Sequence, residues 1–206
     1  NVGTGTEGVK RAYRMGEAAA KELNCDRSEV MMSSTGVIAV ELPIEKIESG
    51  IQGMKQDLGK DPLVGARGIM TTDTYAKAIS VSTDGFTLTV VGKGSGMIEP
   101  NMATMLVYAF TDADISSEDL DAILRRGVNK SFNMLSIDTD TSTSDTMVVM
   151  ANGEAGKVDM ADFEEVFEAS CIRMTEMLAR DGEGASKLLK IEINEAVDER
   201  EAKIYA

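Results

Sequence analysis

Two kinds of apolar segment alternate along this chain: short runs suited to β-strands, and amphipathic stretches with helical periodicity. Each kind has an apolar face that must be buried against another element, so the alternation restricts the chain to mixed architectures. The predicted helices fall in groups between paired strands rather than after every strand. The pattern therefore predicts an α/β (α+β) fold, a layered sandwich of mixed sheets with outer helices.

Local signals set the predicted boundaries of these segments. Helices are predicted over 7–24, 43–58, 118–129 and 159–179, with a last one beginning near Glu195. Strands are predicted over 28–42 with a break at 34–36, and over 68–74, 76–83, 86–91, 104–110, 146–151 and 186–193. Turns are predicted at 59–62, 84–85 and 152–153.

Length and composition favour one domain with an aliphatic core. The chain has 206 residues, of which 43% are hydrophobic and only 4% aromatic, and tryptophan is absent. This length suffices for one full domain, so 1–206 is interpreted as a single region. Cys25 and Cys171 are isolated and lack any metal-binding or redox spacing, which indicates free thiols in a reducing cytoplasm.

The charge balance argues against two classes of partner. The chain carries 21 basic and 35 acidic residues, a formal net charge of −14. Such a field repels phosphate backbones and anionic lipids, so we expect neither nucleic-acid nor membrane binding. No apolar run approaches the length of a membrane span. Small amino-acid substrates remain compatible, because local charges in a pocket bind them.

The absence of histidine restricts the chemistry further. It removes the Ser-His-Asp, Cys-His and HExxH arrangements unless a partner chain supplies an imidazole. Proton transfer near neutral pH then needs another group. A chain-terminal α-amine, with an unperturbed pKa of about 7.7–8.0, is the natural substitute.

The segment 92–106 carries the most informative motif. Its glycines at 92, 94 and 96 allow the backbone to approach a ligand or another loop closely. The pattern does not match the phosphate-binding GxxxxGK[ST] motif, and a tight loop between strands explains it equally well. Lys93 within this loop is a candidate for binding an anionic group.

Residues 93–106, Lys-Gly-Ser-Gly-Met-Ile-Glu-Pro-Asn-Met-Ala-Thr-Met-Leu, resemble the self-processing signature of the ornithine acetyltransferase family. That family includes the glutamate N-acetyltransferases of cyclic arginine synthesis. In it the bond before the threonine breaks autocatalytically, and the new N-terminal threonine is the nucleophile. The resemblance implies cleavage between Ala103 and Thr104, which divides the chain into 1–103, the end of the family's α chain, and 104–206, the start of its β chain.

Four further blocks resemble the family in the same order. They are Ser33–Ile38, Met70–Thr74, Asp138–Thr146 and Asp181–Leu188. Together with the signature they extend over essentially the whole chain, so the match is specific although each block alone is not. The family pattern also continues beyond both ends of this chain, and its C-terminal part contributes an Asn and a Ser or Thr to the active site.

The resemblance implies a nucleophile, a base and oxyanion donors within this chain. Thr104 is the expected nucleophile, and cleavage exposes an α-amine on the same residue that accepts the hydroxyl proton. This mechanism works without histidine. Thr35 and Gly36 match the residues that stabilise the tetrahedral oxyanion, through side chain and backbone.

The same resemblance implies the substrate contacts. Thr71, and beside it Thr72, matches the substrate-binding threonine motif. Lys93 matches a lysine that meets the substrate, and we interpret its partner as the α-carboxylate. Glu183 matches a glutamate suited to the positive amino groups of ornithine. A cation and an anion in one pocket would orient a zwitterionic amino acid.

The implied reaction is acetyl transfer from N2-acetylornithine to glutamate by a ping-pong route in the cytoplasm. No cofactor and no metal are expected, although some members of the family also accept acetyl-CoA. The expected partners are the small amino-acid substrates and the α and β pieces of one precursor, assembled as a higher homo-oligomer. The acidic residues at 138, 140 and 145 lack the glycine and glutamate of a calcium loop, so a turn stitched by Asp and Thr side chains is preferred.

Two alternatives remain open on sequence grounds. One is a hydrolase on the same scaffold, an aminopeptidase or amidohydrolase whose acyl-threonine is released to water. The other is a non-catalytic acidic α/β module with the bond between Ala103 and Thr104 left intact. Dependence on an added glutamate acceptor distinguishes a transferase from a hydrolase.

Overall fold

The computed structural model describes residues 1–99 and 105–205. Its helices are α1 (Gly5–Leu23), α2 (Ile44–Ile51), α3 (Pro62–Ile69), α4 (Ser117–Asn129), α5 (Met160–Arg180) and α6 (Glu199–Tyr205). Its strands are β1 (Lys77–Ser82), β2 (Thr87–Lys93), β3 (Leu106–Ala113) and β4 (Thr146–Gly156). Short 3-10 turns occupy Arg27–Glu29, Met54–Asp57 and Phe132–Met134.

The four strands form one mixed sheet in the order β1-β2-β3-β4. β1, β2 and β3 are antiparallel neighbours, whereas β4 runs parallel to β3. Parallel neighbours need a crossover, and α4 lies between β3 and β4 in the chain. The register places Lys93 opposite Leu106, and Leu106 opposite Thr146, so residues distant in sequence meet at one end of the sheet.

The core lies between one face of the sheet and the helices α4 and α5. Leu88, Val90, Val107 and Ala109 supply the sheet side, and α5 contributes its aromatic and thioether side chains to the same buried cluster. Asp159 begins α5, because its carboxylate accepts the amides of Ala161 and Asp162. The members of the cluster contributed by α5 are Phe163, Phe167, Cys171, Met174 and Leu178.

Close contacts bring α5 onto the sheet and onto α4. Gly92 of β2 lies directly under Met174, since a Cβ built there would sit 2.8 Å from the Met174 sulfur. Gly127 of α4 has a similar relation to Phe167, with 2.8 Å from a built Cβ to the ring. These glycines set how near α5 packs to its neighbours.

The predicted mixed α/β class is confirmed, as are the helices over 7–24, 118–129 and 159–179 within a few residues. The strands predicted over 76–83, 86–91 and 146–151 correspond to β1, β2 and β4. The turn predicted at 152–153 is wrong, because β4 continues through these residues to Gly156. The sequence signal corresponds to an irregularity in the strand: Gly153 has a left-handed φ of 78°, and the β3–β4 register shifts beside it.

Three predicted strands are wrong. The segment 28–42 is irregular after its 3-10 turn, and 186–193 is irregular throughout. Both leave apolar side chains exposed, such as Val37 and Leu189, because no strand within 1–99 or 105–205 pairs with them. Residues 68–69 end α3 instead of opening a strand, since Asp61 caps that helix through the Leu63 amide and Pro62 occupies its first turn.

The helix predicted over 43–58 and the last predicted helix are shorter than expected. α2 ends at Ile51 and a 3-10 turn follows, while α6 begins at Glu199. Within the described residues, no helix combines the length and apolar character that crossing a membrane requires.

Two glycine-to-alanine changes test the packing between α4 and α5. G127A places a methyl group against the buried Phe167 ring and should lower the free energy of unfolding by about 1–3 kcal/mol. The matched change G65A lies on exposed α3 with no atom within 4 Å of the new Cβ, and should raise stability by about 0.5–1 kcal/mol. Urea unfolding measures both, and equal effects of the two changes would contradict this packing.

Candidate active site

One cavity of about 560 Å³ lies where four segments meet. These segments follow one another around the sheet end: the irregular stretch after α1, the loop between α3 and β1, the loop after β2, and the loop after α5. The lining residues are Thr35, Gly36, Val37, Thr71, Thr72, Lys93, Ser95, Gly96, Met97 and Glu183. The volume is that of a small-molecule site.

The cavity collects the residues to which the sequence assigned oxyanion and substrate roles. Thr35 and Gly36 lie on one side, and Lys93 and Glu183 project from separate elements. Thr71 and Thr72 complete this predicted set. Ala103 and Thr104, the predicted cleavage pair, lie outside the described residues.

Lys93 is the buried cation of the site. It ends β2, is only 1% exposed, and its Nζ donates to the Thr71 hydroxyl at 3.3 Å. Burial lowers the pKa of the Lys93 ammonium below its ordinary value, although Asp73 and Asp145 act in the opposite direction. Within 1–99 and 105–205 the Lys93 ammonium bonds to one hydroxyl, and an ammonium has three donors, so this group is suited to an anionic ligand.

Glu183 is the exposed anion of the site. Its backbone amide donates to the Ser95 carbonyl at 2.6 Å, and the Ser95 hydroxyl donates to the Asp181 carbonyl at 2.6 Å. A Cβ built on Gly96 would lie 2.7 Å from Glu183 Oε2. The missing side chain at Gly96 therefore leaves the space that the Glu183 carboxylate occupies.

Two aspartates fix the backbone at the edges of the glycine loop. Asp138 accepts the amides of Met97 at 2.6 Å and Ile98 at 2.9 Å, and Met97 adopts a left-handed φ of 55° there. Asp145 accepts the amide of Met105 at 2.9 Å, and burial raises the pKa of that carboxyl. Inside the segment 138–146, Asp138 accepts the Asp140 amide at 3.3 Å and the Thr146 hydroxyl donates to the Ser144 carbonyl at 3.4 Å. Among the described residues, no three acidic, cysteine or histidine side chains form a group that could hold a metal ion.

Sequence reasoning missed a buried ion cluster behind the cavity. Lys77 of β1 is fully buried between the carboxylates of Asp73 and Asp181. Both aspartates lie within family-like blocks, but no role was assigned to them. The available signal was the position of Lys77 on the core-facing side of a strand, where it pairs in register with buried Gly92.

Comparisons with known proteins identify the family of this chain. The sequence model of the ArgJ family matches residues 1–206. This chain belongs to the ArgJ family. A protein of Clostridium acetobutylicum named arginine biosynthesis bifunctional protein ArgJ 2 is 47% identical over 207 residues, covering 100% of this chain and 53% of that relative. Glutamate N-acetyltransferase Oat2 of Streptomyces clavuligerus is 43% identical over 204 residues, covering 98% and 52%.

The chain spans about half the length of these curated relatives. A crystal structure of the arginine biosynthesis bifunctional protein ArgJ from Bacillus halodurans is also similar, at 38% identity over 37% of this chain and 39% of that chain, with a TM-score of 0.36. The membership predicted from five sequence blocks is thereby confirmed.

Replacing Lys93 by methionine should stabilise the folded chain. Since burial lowers the pKa of Lys93, the folded chain binds fewer protons than the unfolded chain between that lowered pKa and 10.5. The penalty of the buried charge is fully present below the lowered pKa of Lys93, and stability rises with pH across this window as the folded chain loses that charge. K93M should raise the free energy of unfolding at pH 7 by about 0.5–2 kcal/mol, measured by urea unfolding.

The control for K93M is K157M, at a lysine whose side chain is 80% exposed. It should change stability by less than about 0.5 kcal/mol. The gain from K93M should shrink as pH rises through the window and the parent loses its charge. A loss of stability in K93M at pH 7 would contradict a destabilised buried ammonium.

Proposed function

We propose that this protein transfers an acetyl group from N2-acetylornithine to glutamate through an acyl intermediate on Thr104, formed after self-cleavage between Ala103 and Thr104. The observation that carries the proposal is the cavity that joins a buried cation, an exposed carboxylate and the segment Thr35–Gly36. Family membership and the names of the relatives support the same reaction class.

Charge placement supports an amino-acid substrate. The Lys93 ammonium is suited to a substrate carboxylate, since charge-assisted hydrogen bonds are stronger than neutral ones. Glu183 is suited to a substrate ammonium. A molecule with a carboxylate and an ammonium would be oriented by Lys93 and Glu183. A neutral acyl compound has neither group and would not be oriented in this way.

The described residues that follow Thr104 in the chain support its assignment as the nucleophile. Leu106 lies opposite Lys93 in the β2–β3 pairing, and Thr104 precedes Leu106 by two residues in sequence. Two residues span at most about 7 Å of extended chain. This short connection between Thr104 and the residue paired with Lys93 supports a role for Thr104 in the reaction.

The proposed self-cleavage uses the Thr104 hydroxyl. Its oxygen attacks the Ala103 carbonyl, the peptide C–N bond breaks as the nitrogen takes a proton, and an ester links the two residues. Water then cleaves the ester, giving a carboxylate on Ala103 and a free α-amine on Thr104. Without histidine in the chain, this amine is the group that titrates closest to neutral pH on the nucleophile itself.

Acetyl transfer then proceeds in two balanced halves. The Thr104 oxygen attacks the acetyl carbonyl of N2-acetylornithine while the α-amine accepts its proton, and the oxyanion is stabilised by Thr35 and Gly36. The C–N bond breaks, ornithine leaves with the proton, and acetyl-threonine remains. The glutamate amine attacks this ester and restores the hydroxyl. No cofactor enters either half, and acetyl-CoA would serve only as an alternative donor.

The fold also supports a stable association of the two pieces. Residues before the proposed cleavage bond provide β1 and β2, and residues after it provide β3 and β4. The β2–β3 pairing runs from Leu88–Thr111 to Lys93–Leu106, so it joins the pieces through the centre of the sheet. We propose that they remain together, within a homo-oligomer in the cytoplasm, after the bond is broken.

Intact-mass spectrometry of the parent and T104A proteins tests the proposed cleavage. Under denaturing conditions the parent should give two masses, the second beginning at Thr104, whereas T104A should give one uncut mass. The parent pieces should elute together in a native size-exclusion run. A single uncut mass in both proteins would rule out the threonine mechanism, and turnover without added glutamate would favour the hydrolase instead.

Changing Gly96 to alanine tests the role of Glu183. The new methyl group displaces the Glu183 carboxylate, whose end can move at little cost in stability. We expect G96A to raise the KM for N2-acetylornithine about tenfold with a similar urea midpoint, because a charged contact to the substrate ammonium is lost. G85A is the matched control, since no atom lies within 4 Å of its built Cβ. An unchanged KM in G96A would remove Glu183 from substrate binding.

A further inference from the structure

A buried cluster of three charged side chains lies between the cavity and the core. Lys77 Nζ donates to Asp73 Oδ1 at 2.7 Å and to Asp181 Oδ2 at 2.5 Å. Exposure is 0% for Lys77, 8% for Asp73 and 5% for Asp181. The Tyr75 ring covers the ammonium, with 4.6 Å from Nζ to the ring centroid. We refer to Asp73, Lys77 and Asp181 as the ion triad.

Each carboxylate of the ion triad also holds backbone from a cavity loop. Asp73 accepts the amides of Thr71 at 3.1 Å and Gly94 at 2.8 Å. Asp181 accepts the amide of Thr74 at 3.0 Å, together with the Thr74 hydroxyl. The triad thus bonds to the loop before β1 and to the loop after β2, and it includes the first residue of the loop after α5.

The residues held in this way adjoin the charged groups of the cavity. Thr71 itself accepts from Lys93, and Gly94 follows Lys93 in the chain. Glu183 lies two residues beyond Asp181 and bonds through its amide to Ser95, while Ser95 bonds back to the Asp181 carbonyl. A shift of the triad would therefore move both the cationic and the anionic side of the cavity.

Stability alone gives little reason for such a cluster. Desolvating buried charges largely cancels their attraction, and apolar side chains of similar volume often serve a core equally well. Burial by itself raises the pKa of Asp73, but Lys77 and the amides of Gly94 and Thr71 lower it below its ordinary value, so Asp73 stays ionised. Each carboxylate oxygen of Asp73 and Asp181 has a defined hydrogen-bond donor. This is expected of a polar network that fixes the positions of the loops bonded to it.

We infer that Lys77 is a positioning residue: through Asp73 and Asp181 it holds the three loops that set the spacing between Lys93 and Glu183. The substrates named for this role rest on the proposed function, whereas the coupling among the loops does not. Lys77 touches no cavity space in this arrangement and acts only through its two partners.

The first test is D181N, which keeps the side-chain shape but removes one charge from the ion triad. We expect the KM for both amino-acid substrates to rise about 10- to 100-fold, because small misplacements of binding groups are costly. The kcat should change less than about threefold, since Thr104 and its amine are untouched. D114N is the matched control, because Asp114 pairs with Lys157 in an exposed ion pair far from the cavity lining.

Hydrogen–deuterium exchange gives a second readout that needs no activity. In D181N, exchange should quicken at Thr74 and also at Gly94, which bonds to the other carboxylate and not to Asp181. A folded K77M protein should also exchange faster at both Thr74 and Gly94. In D114N the exchange at these two amides should equal that of the parent. Faster exchange confined to the Thr74 and Asp181 loops, or an unchanged KM in an active D181N protein, would overturn the inference.

The exchange experiment distinguishes failure of the proposed function from failure of the positioning role. If the parent protein neither cleaves itself nor transfers acetyl, the exchange comparison still decides whether the ion triad couples the loops. Faster exchange at Gly94 in D181N would then support the positioning role, and its absence would reject it. If the parent is active and D181N has the same KM and the same amide exchange as the parent, the positioning role is rejected while the proposed function stands.

Discussion

The packing of Met174 over Gly92 is the contact on which the site depends. It brings α5 close to β2, so that the loop leaving α5 with Glu183 meets the loop leaving β2 just after Lys93. A side chain at position 92 would push the helix away and separate the two charged groups. Dispersion and burial in the core therefore set a distance that matters for electrostatics in the cavity.

Much of this arrangement could be predicted from the sequence, and the reasons are local. Glycines, threonines and acidic caps define loops within a few residues, and the motifs at 33–38, 70–74 and 181–188 contain residues that the fold brings to one cavity. Their proposed roles in the reaction stay predictions. Strands need partners as well as apolar side chains. The sequence shows the apolar runs at 28–42 and 186–193 but not the lack of a neighbouring strand, so both were assigned wrongly.

Lys77 was missed for a related reason. A lysine in a strand usually faces solvent, and its burial here is possible only because Asp181, distant in sequence, arrives beside Asp73. Lys93 is linked to this cluster through the next residue, because the Gly94 amide donates to Asp73 at 2.8 Å. The protein as a whole is strongly acidic, yet it buries two ammonium groups near one cavity. The charge of Lys77 is matched by Asp73 and Asp181, whereas the Lys93 ammonium bonds to the Thr71 hydroxyl.

The sheet combines strands from both sides of the bond between Ala103 and Thr104, and this has a consequence for the order of events in the cell. β3 can pair with β2 only after the chain has turned back between them, so cleavage before folding would leave two pieces to find each other by diffusion. A precursor that folds first needs no such encounter. Under the proposed mechanism the α-amine of Thr104 would then form only in molecules whose central strands had already paired. Misfolded copies would stay uncleaved and would have no activated nucleophile.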